Sequence, residues 1–318
     1  MRRFAFFLLC ACPVFALDVP FIAQKPGQCG PAALAMLANF HGHKITQEEI
    51  AAAIYLPDIH GTLTTDLADY AKKFGLWVRQ YRGTQADLRQ KIAAGIPLLV
   101  LGKFGDRPHY FLVLDFDDFA KTVTVHSDQR ARHAMTQEQF WRVWDRADRW
   151  TLLVCPPGIA TWSLSAAEHN DLGVFLERLG KFPAAAGNYR RAAELAPTNS
   201  YYLMNLGNAL MKQELPAEAA TAYRQALQVE PDNADAMNNL AHAYLTLNAN
   251  LDEAVALCER AVKLRPGHRA YYLDTLGHIL LKQGRVAEAG KTFEKALAAT
   301  TDRQSALREK IRQAMPKQ

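Results

Sequence analysis

Gln24-Lys25-Pro26-Gly27-Gln28-Cys29-Gly30-Pro31-Ala32-Ala33-Leu34 sets a thiol among glycines and prolines, just ahead of an apolar run that continues to Phe40. This pattern predicts a helix from Pro31 to about Phe40, because proline is tolerated in a first helical turn, where its missing amide would be unpaired anyway. Cys29 is then expected at a helix N-terminus. Orphan amides and the positive end of the helix dipole favour thiolate over thiol there, which is how a nucleophilic cysteine is usually activated.

Such a thiol needs a base and an orienting group from elsewhere in the chain. His109 opens the β-rich run His109-Tyr110-Phe111-Leu112-Val113-Leu114, straight after the loop Gly105-Asp106-Arg107-Pro108. Asp128 closes the next such run, Thr122–His126. A hairpin between the two would bring Asp128 to the second nitrogen of the imidazole and fix its tautomer. Asp115, Asp117 and Asp118 fall at the far end or turn of that hairpin. His126 and Ser127 are expected to serve only local hydrogen bonds.

Around these residues short helical and extended segments alternate. Thr46 with Glu49, and Thr136 with Gln139, match the capping box that starts a helix. Gly75 and Gly95 end helical stretches and precede extended ones, Trp77–Tyr81 and Pro97–Leu101. With Thr151–Cys155 as a further β-run, the expectation for residues 17–157 is an α+β domain with a small, mostly antiparallel sheet.

Beyond Pro156-Pro157-Gly158 the chain becomes Ala-rich with a period near 34 residues. Leu172-Gly173, Leu206-Gly207, Leu240-Ala241 and Leu276-Gly277 recur. Each is followed by Ala185, Ala219, Ala254 or Ala289, by Tyr189, Tyr223, Cys258 or Phe293, and by Ala192, Ala226, Ala261 or Ala296. Pro197, Pro231 and Pro266 close the first three units. Residues 158–318 thus resemble an all-α tetratricopeptide-repeat solenoid, with four repeats over about 166–303 and a capping helix over Arg303–Met315. Single-residue slips are expected around Asn248–Asn250 and Gly267–Ala270. Asn205, Asn208, Asn239, His242 and His278 fall on first-helix positions that commonly line the concave groove of such arrays, where a protein partner is expected; solvation and helix packing are equally open roles for them.

Residues 17–157 resemble the papain-like cysteine peptidases that remove double-glycine leaders from bacteriocins. The closer likeness is to the stand-alone secreted type, some of which carry tetratricopeptide repeats. Gln24, Cys29-Gly30-Pro31-Ala32, the His109 strand and Asp128 carry the resemblance. It implies Cys29 as nucleophile, His109 as base, Asp128 as orienter, and Gln24 as oxyanion donor beside the Cys29 amide. Two departures stand out. Gln24 precedes the cysteine by five residues where six is usual, leaving Gln28 a rival donor, and Gln129 follows Asp128 where the family often has proline. No ATP-binding cassette or transmembrane bundle accompanies the domain, so no exporter defines the substrate.

The net charge of +5 does not mark a nucleic-acid binder. Residues 1–16 contribute +2, residues 17–158 hold 16 basic and 15 acidic side chains, and residues 159–318 hold 19 and 17, with no basic block. Histidines lack metal-ligand spacing and no Gly-rich phosphate loop is present, so no cofactor or metal is expected. Cys155 and Cys258 read as core residues. Met1-Arg2-Arg3 and the apolar stretch from Phe4 to Cys12 fall short of the roughly 20 residues that span a bilayer and read as a secretory signal. Cleavage after Ala16 is one reading; a lipobox, Leu9-Cys10-Ala11-Cys12, is the other, and membrane attachment is expected only if Cys12 is acylated. The expectation is an exported cysteine peptidase, in the periplasm or cell envelope, acting on a peptide or protein. A non-catalytic adaptor working through its repeats and a transamidase using the same thioester chemistry are the alternatives.

Overall fold

In the computed structural model, residues 17–158 and 162–316 are described; the signal assigned to residues 1–16, with Cys12, lies outside them. The chain divides into two compact units between Ser163 and Leu164.

The first unit is built on helix α1 (Cys29–Phe40), which is buried from Gly30 to Ala38. Such a continuous apolar helix can only be a core helix. Helices α2 (Gln47–Ile54) and α3 (Thr64–Ala71) pack beside it. The Thr46–Glu49 capping box forms, and Gly75 takes the left-handed conformation after α3 and a short 3-10 turn. Strand β1 (Trp77–Arg82), helix α4 (Gln85–Ala93), strands β2 (Leu98–Phe104), β3 (Arg107–Asp117), β4 (Thr122–Ser127) and β5 (Arg130–Thr136), helix α5 (Gln137–Asp145) and strand β6 (Trp150–Cys155) follow. Thr136 and Gln139 form the second capping box, at the start of α5.

The six strands make one antiparallel sheet in the order β1-β6-β2-β3-β4-β5. Strand periodicity gives it two apolar faces. Leu99, Tyr110, Leu112, Leu114, Leu152 and Val154 join α1, Ile50 and Leu67 in one core. On the opposite face Phe111 and Phe116 meet Phe140 of α5, with ring centroids 6.1 and 5.9 Å apart. β5 was not anticipated from the sequence: Arg130-Ala131-Arg132-His133-Ala134-Met135-Thr136 has little apolar alternation, and its strand state comes from pairing with β4 at the sheet edge. The unit continues past Pro157 because Trp162 stacks on the buried Trp77, with centroids 6.4 Å apart.

The second unit is four helical hairpins: α6 (Ala166–Arg178) with α7 (Phe182–Leu195), α8 (Ser200–Lys212) with α9 (Pro216–Val229), α10 (Ala234–Leu247) with α11 (Leu251–Leu264), and α12 (Arg269–Lys282) with α13 (Val286–Ala298). Helix α14 (Ser305–Ala314) closes the array, burying Ile311. The two expected slips appear as left-handed Asn248 and Asn250 and as a 3-10 turn at Pro266–His268.

The period-34 pattern has a steric cause. A Cβ on Gly173 would lie 2.6 Å from the Tyr189 ring, one on Gly207 2.4 Å from Tyr223, and one on Gly277 2.5 Å from Phe293. Three hairpins thus pair a glycine with a ring. The third holds Ala241 and Cys258 at the same positions, both fully buried, so the extra methyl goes with a smaller partner. This complementarity predicts that Gly207→Ala destabilises the array by about 1–3 kcal/mol, overpacking outweighing the gain in helix propensity. Adding Tyr223→Cys, the combination of the third hairpin, should recover part of that loss. Denaturant melts of the two single variants and the double variant measure the coupling; additive losses would refute it.

Candidate active site

Cys29, His109, Asp128 and Gln24 all line one cleft of about 540 Å³ in the first unit, together with Lys25, Pro26, Gly27, His60, Phe104, Arg107, Pro108 and Gln129. Four positions spread over more than a hundred residues therefore converge.

Cys29 is the first residue of α1 and is half-buried. The chain reaches it through Gly27, whose φ of +72° and tight packing against the His60 carbonyl and the Tyr55 hydroxyl exclude a side chain. Gly30, next to the thiol, lies against Leu67 and Tyr110, where a Cβ would approach to 3.1 and 3.2 Å. The expected thiolate preference is not what the site produces at rest. Burial pushes the Cys29 thiol above its ordinary value, and the negative charge of Asp128 adds to this; main-chain hydrogen bonds at Tyr110, Gly30 and Cys29 itself oppose it. Desolvation outweighs the helix start because Cys29, although it lines the cleft, packs against the core cluster that holds Tyr110 and Leu67.

His109 sits near the start of β3, on the same face as Phe111, with the two rings stacked at 6.2 Å; Phe104 meets it edge-on at 6.1 Å. The strand and these rings hold the imidazole from two sides. Burial lowers its pKa, and the charge of Asp128 works the other way. Its Nε2 faces the β4–β5 turn, 3.0 Å from Ser127 Oγ and 3.4 Å from Asp128 Oδ1. Asp128 is exposed and adopts a left-handed backbone, φ 54°, in the two-residue turn between Ser127 and Arg130. Aspartate tolerates this conformation better than most residues.

Gln24 is buried, and its Nε2 lies 3.5 Å from the Tyr110 carbonyl oxygen. Its backbone is tied to the same turn: Gln24 N–H donates to the Asp128 carbonyl at 3.0 Å, and Gln129 Nε2 donates to the Gln24 carbonyl. Gln28 does not line the cleft; its side-chain oxygen is buried without a hydrogen-bond partner among the described residues. His126 plays the local role foreseen for it. Its Nδ1 accepts from the Arg132 amide, so Nε2 donates to the Val19 carbonyl at 2.9 Å. Ser127 does more than foreseen, because the hydroxyl lies closer to His109 than the carboxylate does. His60 and Arg107 were not read as site residues because neither sits in a motif, and for Gln129 the only signal was its unusual place after Asp128.

In the second unit, several of the groove candidates bond to each other across hairpins. Asn205 Nδ2 donates to Asn170 Oδ1 at 2.8 Å, and Asn208 Oδ1 accepts from Asn239 Nδ2 at 3.1 Å and from Tyr223 OH at 2.8 Å. His278 lies 3.4 Å from the buried Asp274, which also receives Lys310 of α14 at 2.8 Å. His242 is exposed.

Residues 18–155 match the Peptidase C39 family, and residues 204–269 and 247–311 match tetratricopeptide repeats. Residues 18–155 are thus a Peptidase C39 domain, and tetratricopeptide repeats follow over residues 204–311. Among curated relatives, a protein of Mycoplasma pneumoniae described as an ABC transporter ATP-binding homologue is 38% identical over 68 residues, which is 21% of this chain and 10% of that protein. Its Mycoplasma genitalium counterpart is 25% identical over 122 residues, 38% of this chain and 17% of its own length. The chain therefore spans a small part of the relatives it matches. Among solved structures, the TPR protein YrrB, described as having an unusual peptide-binding site, shares 18% identity over 46% of this chain and 74% of its own, with a TM-score of 0.41. MamA (residues 41 to the end) from Desulfovibrio magneticus RS-1 shares 21% identity over 42% and 75%, with a TM-score of 0.39.

The contrast among the described cysteines is testable. Burial raises the Cys155 and Cys258 thiols to about 12, so both stay protonated well above neutral pH, whereas Cys29 opens on the cleft. Peptide-level mass mapping after brief treatment of native protein with a thiol reagent at pH 8 should find Cys29 modified and Cys155 and Cys258 intact until denaturant is added. Equal labelling of all three would contradict the burial. The unfolded thiols ionise near 9.0, and the folded values are higher, so the stability held by Cys155 and Cys258 is complete below pH 9 and is lost as pH rises from 9 towards 12.

Proposed function

We propose that the first unit is a cysteine peptidase that cleaves a peptide bond through an acyl-enzyme on Cys29. The observation that carries this reading is the convergence of Cys29, His109, Asp128 and Gln24 on one cleft, with His109 Nε2 turned towards Asp128. In this mechanism Cys29 Sγ attacks the scissile carbonyl carbon while its proton passes to His109 Nδ1. Burial keeps the resting pair neutral as thiol and imidazole, and the imidazolium that forms is held by Ser127 and Asp128 on its other nitrogen. The oxyanion is stabilised by the Cys29 main-chain amide at the start of α1 and the Gln24 side-chain amide, both fixed before substrate arrives. His109 then returns the proton to the leaving amine, and water, deprotonated by the same imidazole, releases the acyl group.

The repeat array supports protein–protein interaction, and we assign it the recruitment of substrate or partner. Export follows from Arg2, Arg3 and the short apolar run to Cys12; intact mass of the processed protein separates cleavage after Ala16 from acylation of Cys12.

An epoxide- or vinyl-type electrophilic peptide probe should label the protein on Cys29. Labelling should vanish in Cys29→Ala and fall by at least a hundredfold in His109→Ala. Gln24→Ala should keep thiol reactivity but lower turnover of a cleaved peptide by about 10²–10³, the usual cost of one oxyanion donor. Equal labelling of wild type and Cys29→Ala would sink the peptidase reading in favour of an adaptor.

A further inference from the structure

The hydroxyl of Ser127 lies 3.0 Å from His109 Nε2, inside the 3.4 Å that separates this nitrogen from Asp128 Oδ1, and 3.5 Å from Asp128 Oδ2. A neutral Nε2–H can donate to Ser127 Oγ, and the hydroxyl proton can pass on towards the carboxylate. The carboxylate itself is exposed, with 67% of its side chain accessible, and so is weakened by water and salt; Ser127 is half-buried at the end of β4 and held in register by Arg130 across the turn. Asp128 Oδ2 being also within reach of Ser127, the two side chains make one acceptor site rather than two competing ones.

We propose that Ser127 is a positioning residue of the peptidase site: its hydroxyl holds His109 in the Nε2–H form, leaves Nδ1 free for the Cys29 proton, and accepts from the imidazolium while Asp128 supplies the charge. Ser127 touches neither substrate nor thiol and acts through His109 alone. The proposal rests on the peptidase reading and adds a member to its machinery. The charged and titratable groups that share the cleft with His109 are Cys29, Asp128, His60, Arg107 and Lys25, the last held in an ion pair by Glu48. Of these only Asp128 lies on the turn facing Nε2; Arg130, paired with Ser127 across that turn, and His133 of β5 line the adjoining pocket with Ser127 and Asp128.

The test uses the rate of Cys29 alkylation by iodoacetamide as a function of pH, together with the ring ¹⁵N shifts of His109, on the full chain. Ser127→Ala should slow alkylation about tenfold at pH 7, since the lost hydrogen bond is one to a charged group, and should let His109 populate both tautomers. The deficit should close at alkaline pH, where Cys29 ionises without help. Ser127→Thr, which keeps the hydroxyl, should restore both readouts. Wild-type rate and an unchanged Nε2–H signature in Ser127→Ala would overturn the proposal and leave the role to Asp128 alone. A deficit that persists undiminished at alkaline pH would also overturn it, as the mark of a structural disturbance. Failure of the peptidase reading looks different: wild type would alkylate no faster at pH 7 than His109→Ala, whatever Ser127 does.

Discussion

The geometry of the candidate site depends on lacing one segment, residues 17–24, to the β4–β5 hairpin. The Leu17 carbonyl takes the Arg132 guanidinium, the Val19 carbonyl takes His126, and Gln24 exchanges bonds with Asp128 and Gln129. These contacts join parts of the chain more than a hundred residues apart. They decide where the run into Cys29 begins, and hence where the thiol lies relative to a base carried by the sheet. The Gln129 contact also gives meaning to a departure from the family pattern. A proline after Asp128 has no side-chain amide with which to hold the Gln24 carbonyl.

The electrostatics follow from that closure. Burial in the closed unit favours neutral forms of both Cys29 and His109, and the helix start does not reverse it. In the proposed peptidase mechanism polarity has to develop during the reaction, so the groups that meet charge at that moment matter more than the resting pKa of Cys29. In that mechanism an exposed aspartate on a left-handed turn is a modest source of such support, and the proposed role of the half-buried Ser127 beside it lessens the dependence on a solvated carboxylate.

The second unit is governed by a different rule. Each hairpin matches a small residue on its first helix with a ring or thiol on its second, and the amides of Asn170, Asn205, Asn208 and Asn239 are spent between neighbouring hairpins. This repetition made the array legible at once. The fold of the first unit was legible in part: capping boxes at Thr46 and Thr136, glycines at Gly75 and Gly95, and apolar β-runs marked most elements. β5 stayed hidden because an edge strand with polar residues on both faces has no hydrophobic period.

The sequence by itself determined the α+β unit, the helical repeats, and Cys29 and His109 as candidates, because each rests on local signals: a thiol before a helix, a histidine near a strand start, a period of small and large residues; Asp128 rested on an expected hairpin, and Gln24 on the family resemblance. Only the tertiary structure decided which nitrogen of His109 meets the turn, that Ser127 stands nearer to it than Asp128, that Gln24 rather than Gln28 reaches the cleft, and that burial holds the thiol neutral. Those outcomes depend on distances and desolvation among segments remote in the chain, and such quantities exist only once the sheet has closed over the helix.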